Sequence, residues 1–381
     1  MKLLYTIIFD KCYNVGMKQN EILKIYGKNY KEMTKELLDV ADLISHIPSR
    51  NTMVGIKPNL VSPTPAEFGA TTHPQVVAGI IEYLKEHGHE KMMMLEGSWV
   101  GDKTSDAYEY CGYRELEKRY GVPFVDCQKE GYHPVDCDGL ELNICNVVDT
   151  VDFMINVPVV KGHCQTKVTC ALKNMKGCIP NTEKRKFHSI GLHQPIAHLA
   201  KGIHQDFIVV DHICGDLDFE DGGNPVVRNC VMAAVDPVLV DAYACKIIGY
   251  DVEEVPYIKM AESLGAGCAD LSKASIKDLN EGNMDEVAHS EHKIVKVSDV
   301  VNEVDSCSAC YASLIPALMR LEEEGLLADF KETISIGQGY QGKTGRLGVG
   351  RCTKDFEFCI MGCPPDEDKI YDELKSYILN S

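Results

Sequence analysis

Apolar positions recur along this chain with two alternating periods. A helical, amphipathic pattern covers roughly Tyr30 to Ile47 and is closed by Pro48. Thr52 to Lys57 then reads as a short strand stopped by Pro58. A helix is expected from Pro74 to His87, with proline in its first turn and Gly88 behind it. Lys91 to Glu96 is the next strand. Further strands are expected at Phe153–Val160, Phe207–Asp211 and Cys230–Val235, and helices at Thr166–Met175, around Gln194–Lys201 and at Pro237–Ile248. Strands and helices that take turns predict an α/β fold with a mostly parallel sheet.

Near His292 a second, smaller unit begins. Its pattern is a strand at Lys293–Val297, a helix at Ser308–Glu324 closed by Gly325, strands at Thr333–Gly337 and Phe356–Met361, and a last amphipathic helix at Asp366–Leu379. The expected division is therefore residues 1–291 and residues 292–381, the latter a small α/β domain. In such sheets ligands sit where strands end and helices begin.

Composition narrows the function classes. The chain has 381 residues, ample for two or three domains, and 45% apolar with 25% charged residues excludes wholesale disorder. Its 57 acids against 39 Lys and Arg give −18, which argues against nucleic-acid and anionic-membrane partners. The apolar stretch Leu3–Phe9 is too short for a secretory signal, and no run approaches the ~18 apolar residues of a membrane span. A cytoplasmic protein is expected, and there thiols stay reduced. Seventeen cysteines then need another account: many as small buried hydrophobes, a subset as metal or cluster ligands.

Five of them follow residue 300. Cys307 and Cys310 form a C-x2-C at the mouth of the Ser308 helix, Cys352 follows the glycine-rich loop 345–350, and Cys363 precedes Pro364 and Pro365. A [4Fe-4S] cluster takes four thiolates, and its net negative charge favours free backbone N–H groups at helix N-termini. The expected ligands are Cys307, Cys310, Cys352 and Cys363, with Cys359 packed inside its strand. Zinc is the rival, but four-cysteine zinc sites usually show two C-x2-C knuckles and only one pair here has that spacing. The run Gly348-Val349-Gly350-Arg351-Cys352, then Met361-Gly362-Cys363-Pro364-Pro365, resembles the end of the cluster domain in NiFe-hydrogenase small subunits and their respiratory complex I counterpart. It departs from them at the first ligands, Cys307-Ser308-Ala309-Cys310.

The acidic total conceals a basic island. Residues 161–201 hold eight Lys and Arg and one acid, a formal +7, which leaves −25 for the rest, and five of the 13 histidines lie between 163 and 204. Such a patch predicts a pocket for a small anionic substrate. Lys173 and Lys176 flank apolar residues and read as pocket groups, whereas Lys184-Arg185-Lys186 read as a solvated helix face. No H-x3-H or H-E-x-x-H occurs on one expected helix; the nearest pair, His193 and His198, is five apart. Cys164, Cys170 and Cys178 match no ligand motif and are expected to be buried, with a reactive thiol left open.

The N-terminal two-thirds resembles the domain-of-unknown-function 362 family, which is often found in iron–sulfur proteins. The matching runs are Lys57-Pro58-Asn59-Leu60-Val61, Thr72-His73-Pro74, Glu96-Gly97-Ser98, Lys161-Gly162-His163 and, most densely, Ala171-Leu172-Lys173-Asn174-Met175-Lys176-Gly177. His188, Val210-Asp211 and Asp236-Pro237 through Asp241-Ala242 follow. The family name supplies no reaction. Lys57, Asn59, Glu96, His163 and Asp211 each lie at or just past the carboxyl end of an expected strand, so they share one sheet edge with Lys173, Asn174 and Lys176.

The expected catalytic groups are His163 as proton donor with Lys173, Lys176 and Glu96; the expected binding groups are Lys57, Asn59, Asn174, His188 and Asp211. The leading expectation is an iron–sulfur oxidoreductase of an anaerobic or facultative cell, served by a ferredoxin-like or flavodoxin-like electron partner and allowed to be a homodimer. A non-redox isomerase or lyase with a structural or Lewis-acid cluster is the alternative, and a faint architectural likeness to the nickel-dependent lactate racemase belongs with it. An electron-transfer accessory protein is a third class, which leaves the basic island unexplained.

Overall fold

The computed structural model describes residues 16–220, 224–282, 292, 297–306, 308–328 and 330–380. Twelve strands precede residue 280: β1 (Glu21–Tyr26), β2 (Val54–Pro58), β3 (Met92–Glu96), β4 (Phe124–Asp126), β5 (Tyr132–Asp136), β6 (Glu141–Cys145), β7 (Phe153–Val157), β8 (Lys161–His163), β9 (Lys167–Thr169), β10 (Phe207–Asp216), β11 (Pro225–Ala234) and β12 (Ser275–Asp278). Eight of these form one sheet in the order β12-β1-β11-β10-β7-β2-β3-β4. Only β11 runs against the others, pairing antiparallel with both β1 and β10. The expected mostly parallel α/β architecture is what forms.

Side chains alternate across this sheet, so each strand feeds two cores. Phe207 and Val209 of β10 join Val54, Ile56 and Ile155 on the face covered by the Tyr30–Val40 and Pro74–Glu86 helices. Ile208 and Val210 join Leu172, Ile196 and Val238 on the other face, under the His193–Gly202 and Pro237–Ile248 helices. From β2 the chain proceeds through β3 to β4 on one side, and from β7 to β10 on the other. The order therefore reverses between β2 and β7, which opens a crevice beyond their carboxyl ends.

Two expected helices change form. The first is two, Tyr30–Val40 and Leu43–His46, because Asp42 turns left-handed at φ 52°. Thr166–Met175 is not one helix: β9 pairs with β8 as a hairpin, and helical turns begin only at Ala171. Lys167 has φ 62°, which helix excludes, and the buried Asp241 carboxylate accepts from Ala171 N at 2.6 Å and so starts the helix there.

The C-terminal sheet has four parallel strands in sequence order: β13 (Val301–Glu303), β14 (Ile334–Ile336), β15 (Leu347–Val349) and β16 (Phe358–Ile360). The Ser308–Glu323 and Glu367–Asn380 helices pack on it through Leu314, Leu318, Leu321, Ile370 and Leu374. The strand expected at Lys293–Val297 lies outside the described residues apart from Val297. The same core takes in Phe219 from the segment beyond β10 and touches Cys164 beyond β8. No helix among the described residues is long and apolar enough to cross a membrane.

Candidate functional site

Beneath the crevice lies a buried ion pair. Lys57, near the end of β2, is fully buried; its Nζ donates to Glu96 Oε2, to Pro58 O at 2.8 Å and to Asn174 Oδ1 at 3.1 Å. Glu96 ends β3 and is closed in by Gly97 N at 2.7 Å and Leu60 N at 3.3 Å. Asn174 in turn donates to Asn156 Oδ1 at 2.6 Å, so β2, β3, β7 and the Ala171–Asn174 turn are locked together by polar groups. Gly177 is required here, because a Cβ at that position would collide with Glu96 Oε1 and Lys57 Cε.

Above this floor is a chamber of about 80 Å3 that opens to solvent. Asn59 and Glu96 border it from the strand ends, Trp99 from the loop after β3, and His163, Lys173, Lys176 and His188 from the segment after β7. Lys173 Nζ donates to Thr169 Oγ1 at 3.1 Å and pairs with Glu220. Burial alone would raise the Glu220 carboxyl, but the Lys173 charge outweighs it and holds that carboxyl well below the usual range. His163 Nδ1 accepts from Gln165 N and Thr166 N, each at 3.0 Å, which leaves the ring proton on Nε2, 3.5 Å from Glu220. Burial, aided by the Lys173 charge, lowers its pKa to about 4, so the imidazole is neutral at pH 7 and the proton it offers is the Nε2–H.

Burial and the Lys173 charge also bring the Lys176 amine down to about 7. His188 falls to about 3, again through burial and then the Lys176 charge, and its buried Nδ1 has no hydrogen-bond partner among the described residues. The chamber thus combines cationic and near-neutral amines with two neutral imidazoles.

Two expected binding groups do not line the chamber. Lys57 is sealed below it by its own partners. Asp211 lies inside β10, which continues to Asp216 rather than ending at 211, and its carboxylate accepts from His73 N at 2.6 Å and meets His73 Nδ1 at 2.9 Å. It holds the entry to the Pro74–Glu86 helix. Lys184 corrects the solvated-face expectation: it is buried, donates to Gly97 O at 2.8 Å and Ser98 O at 2.7 Å, and borders the chamber. Its one signal in sequence is Phe187, three residues on, which marks the inward stripe of a basic helix. Glu220, Trp99 and Thr169 also escaped the sequence reading.

A model of the domain of unknown function DUF362 matches residues 54–246, just over half of the chain. The chain belongs to the DUF362 family. It is 26% identical over 218 residues to the thylakoid-associated protein sll1697 of Synechocystis sp., an alignment spanning 55% of this chain and 67% of that protein. Among solved structures, the lactate racemase apoprotein of Thermoanaerobacterium thermosaccharolyticum overlaps with a TM-score of 0.37 and 14% identity, covering 64% of this DUF362 chain and 57% of the racemase.

In this DUF362 protein the matched segment carries the crevice, while the late cysteines lie outside it. Cys310 is in the first turn of the Ser308–Glu323 helix after β13, Cys352 follows β15 and Cys363 follows β16, so all three stand at the carboxyl edge of the small sheet. Cys307 lies outside the described residues. Gly350 has φ 90°, and a Cβ there would stand 3.5 Å from Cys310 Sγ. Gln341 Nε2 donates to Cys352 Sγ at 3.5 Å, and a hollow of about 490 Å3 is bordered by Gln341, Gly342, Cys352 and Cys363. Cys359 instead turns to Gly350 O at 3.5 Å and Thr353 Oγ1 at 3.4 Å. Among the described residues no three His, Cys, Asp or Glu stand close enough to share one metal ion. The four thiolates of a cubane each bind a different corner, so a shared-ion geometry is not what that group requires. The donor chemistry and the open glycine-lined edge fit it. Cys178 is buried in the main core, and burial pushes the Cys170 thiol up and the Cys164 thiol to about 12, so neither of these two is an activated thiolate.

Proposed function

We propose that this DUF362 protein is a cytoplasmic iron–sulfur oxidoreductase that binds a small anionic substrate in the crevice of residues 1–291 and exchanges a proton with it. The observation that carries this reading is the convergence of Lys173, Lys176, His163 and His188 on one small chamber at the sheet's switch point. Lys173 fixes the substrate's negative charge, in competition with Glu220. The Nε2–H of His163 is the proton placed to be given, and Glu96 with Lys57 keeps the floor rigid. Cys307, Cys310, Cys352 and Cys363 of the domain 292–381 would hold the [4Fe-4S] group, which supplies single electrons when bound.

Support for linking the two units comes from two pairs of neighbouring residues. His163 faces the crevice while Cys164 packs on the C-terminal core; Glu220 faces the crevice while Phe219 belongs to that core. Electrons would reach such a unit from a ferredoxin-like or flavodoxin-like partner. The test is calorimetric titration of the protein with pyruvate, lactate and phosphate. At least one of these is expected to bind, and Lys173→Ala should weaken it about tenfold to a hundredfold, the worth of one charge-assisted hydrogen bond. Unaltered binding of every anion tried would overturn the crevice reading. A second reading, a non-redox isomerase or lyase in the same crevice, is favoured by one observation: the unpaired state of Lys176.

A further inference from the structure

The buried or crevice-lining lysines differ in one respect. Lys57 is tied to Glu96 and Asn174, Lys161 to Ala70 O at 2.6 Å and Glu220 O at 3.0 Å, Lys173 to Thr169 and Glu220, and Lys184 to two backbone carbonyls. Lys176 has no hydrogen-bond or ion-pair partner for its amine among the described residues; its Nζ lies 5.7 Å from the Phe187 ring centre. An amine left unpaired in a chamber walled by other cations gives up stabilisation that an ion pair would supply. Such an amine loses its proton easily, and its lone pair becomes available as a nucleophile.

We propose that Lys176 is a covalent catalyst that forms an imine with a small carbonyl substrate bearing a carboxylate, a 2-oxo acid in the first instance. This rests on the anionic-substrate reading of the crevice and names its substrate class. The Lys176 Nζ lone pair forms a bond to the carbonyl carbon, and the carbonyl oxygen takes up a proton, for which the His163 Nε2–H is placed. The attacking nitrogen gives one of its protons back to His163, and the neutral carbinolamine then loses that oxygen as water on taking one further proton from solvent, so the nitrogen keeps one hydrogen. The sum is one neutral amine, one carbonyl compound and one proton giving one iminium and one water, with no electron transferred. Lys173 meets the substrate carboxylate. The chamber's size limits the substrate to a few heavy atoms.

The full-length protein is incubated with pyruvate and borohydride, and the product is mapped by peptide mass spectrometry. A reduced pyruvyl adduct confined to Lys176 is expected, absent with lactate, absent from Lys176→Met and Lys176→Arg, and formed about tenfold faster at pH 8 than at pH 6, as an amine titrating near 7 requires. Lys173→Ala should slow trapping without moving the adduct. An adduct spread over exposed lysines, or one that survives in Lys176→Met, would overturn the proposal. If calorimetry shows pyruvate bound to the wild type and no adduct forms, the imine is refuted while the anion site stands. If no anion binds and no adduct forms, both fail together.

Discussion

Replacing Lys57 by methionine tests the polar floor on which the crevice rests. Methionine has nearly the length of lysine, so the change removes a charge and three hydrogen bonds and opens little cavity. It leaves Glu96, 3% exposed, as a buried carboxylate that has lost its ion-pair partner and whose remaining donors among the described residues are two backbone N–H groups. Removing one partner of such a pair costs about 3–5 kcal/mol. Glu96→Gln costs less, because the amide oxygen still accepts from Lys57. The double variant should recover about 1–3 kcal/mol relative to the sum of the singles, since the Lys57→Met penalty is largely a stranded charge. Urea unfolding followed by circular dichroism gives the three values. Lys57→Met below about 1 kcal/mol, or additivity of the two changes, would refute the view that this pair is a desolvated structural unit.

Burial raises the Asp241 carboxyl to about 7, against the pull of the Leu172 and Ala171 N–H groups. A group raised on folding contributes stability that is present below its unfolded pKa and lost as pH climbs through the folded value. The wild type should therefore lose up to about 4 kcal/mol between pH 4 and pH 7 relative to Asp241→Asn; parallel unfolding curves for the two proteins across that window would count against it. Lys184→Met strands Gly97 O, while Ser98 O keeps Gln128 Nε2 at 3.1 Å, so a loss of about 1–3 kcal/mol in urea unfolding is expected; no loss would return Lys184 to the solvated face.

The sheet and most of the site could be read from sequence because they rest on short-range signals. Strand ends marked by Pro58 and Glu96-Gly97 placed the carboxyl edge, and the Lys173–Gly177 run stood on it; the strand expected to reach Val160 ends at Val157, before Pro158. What stayed hidden depended on how far elements extend in space. β10 and β11 run ten residues each, longer than their apolar cores, so Asp211 moved inside a strand and Glu220 was carried to the crevice from beyond it. Lys184 was masked by Arg185 and Lys186, whose charge dominates the local composition although only their side chains stay in water. The hairpin of β8 and β9 was missed because its polar residues are satisfied by tertiary partners: Lys161 by Ala70 and Glu220, Lys167 by Glu254.

The most direct measurement is the iron and acid-labile sulfide content of anaerobically purified full-length protein, with electron paramagnetic resonance before and after dithionite. The account predicts about four iron and four sulfide per chain and a signal that appears on reduction. Cys352→Ser and Cys363→Ser should lower both contents, and Cys359→Ser should leave them unchanged. Zinc in place of iron, or a colourless protein that keeps its full fold and its anion binding, would contradict the iron–sulfur assignment.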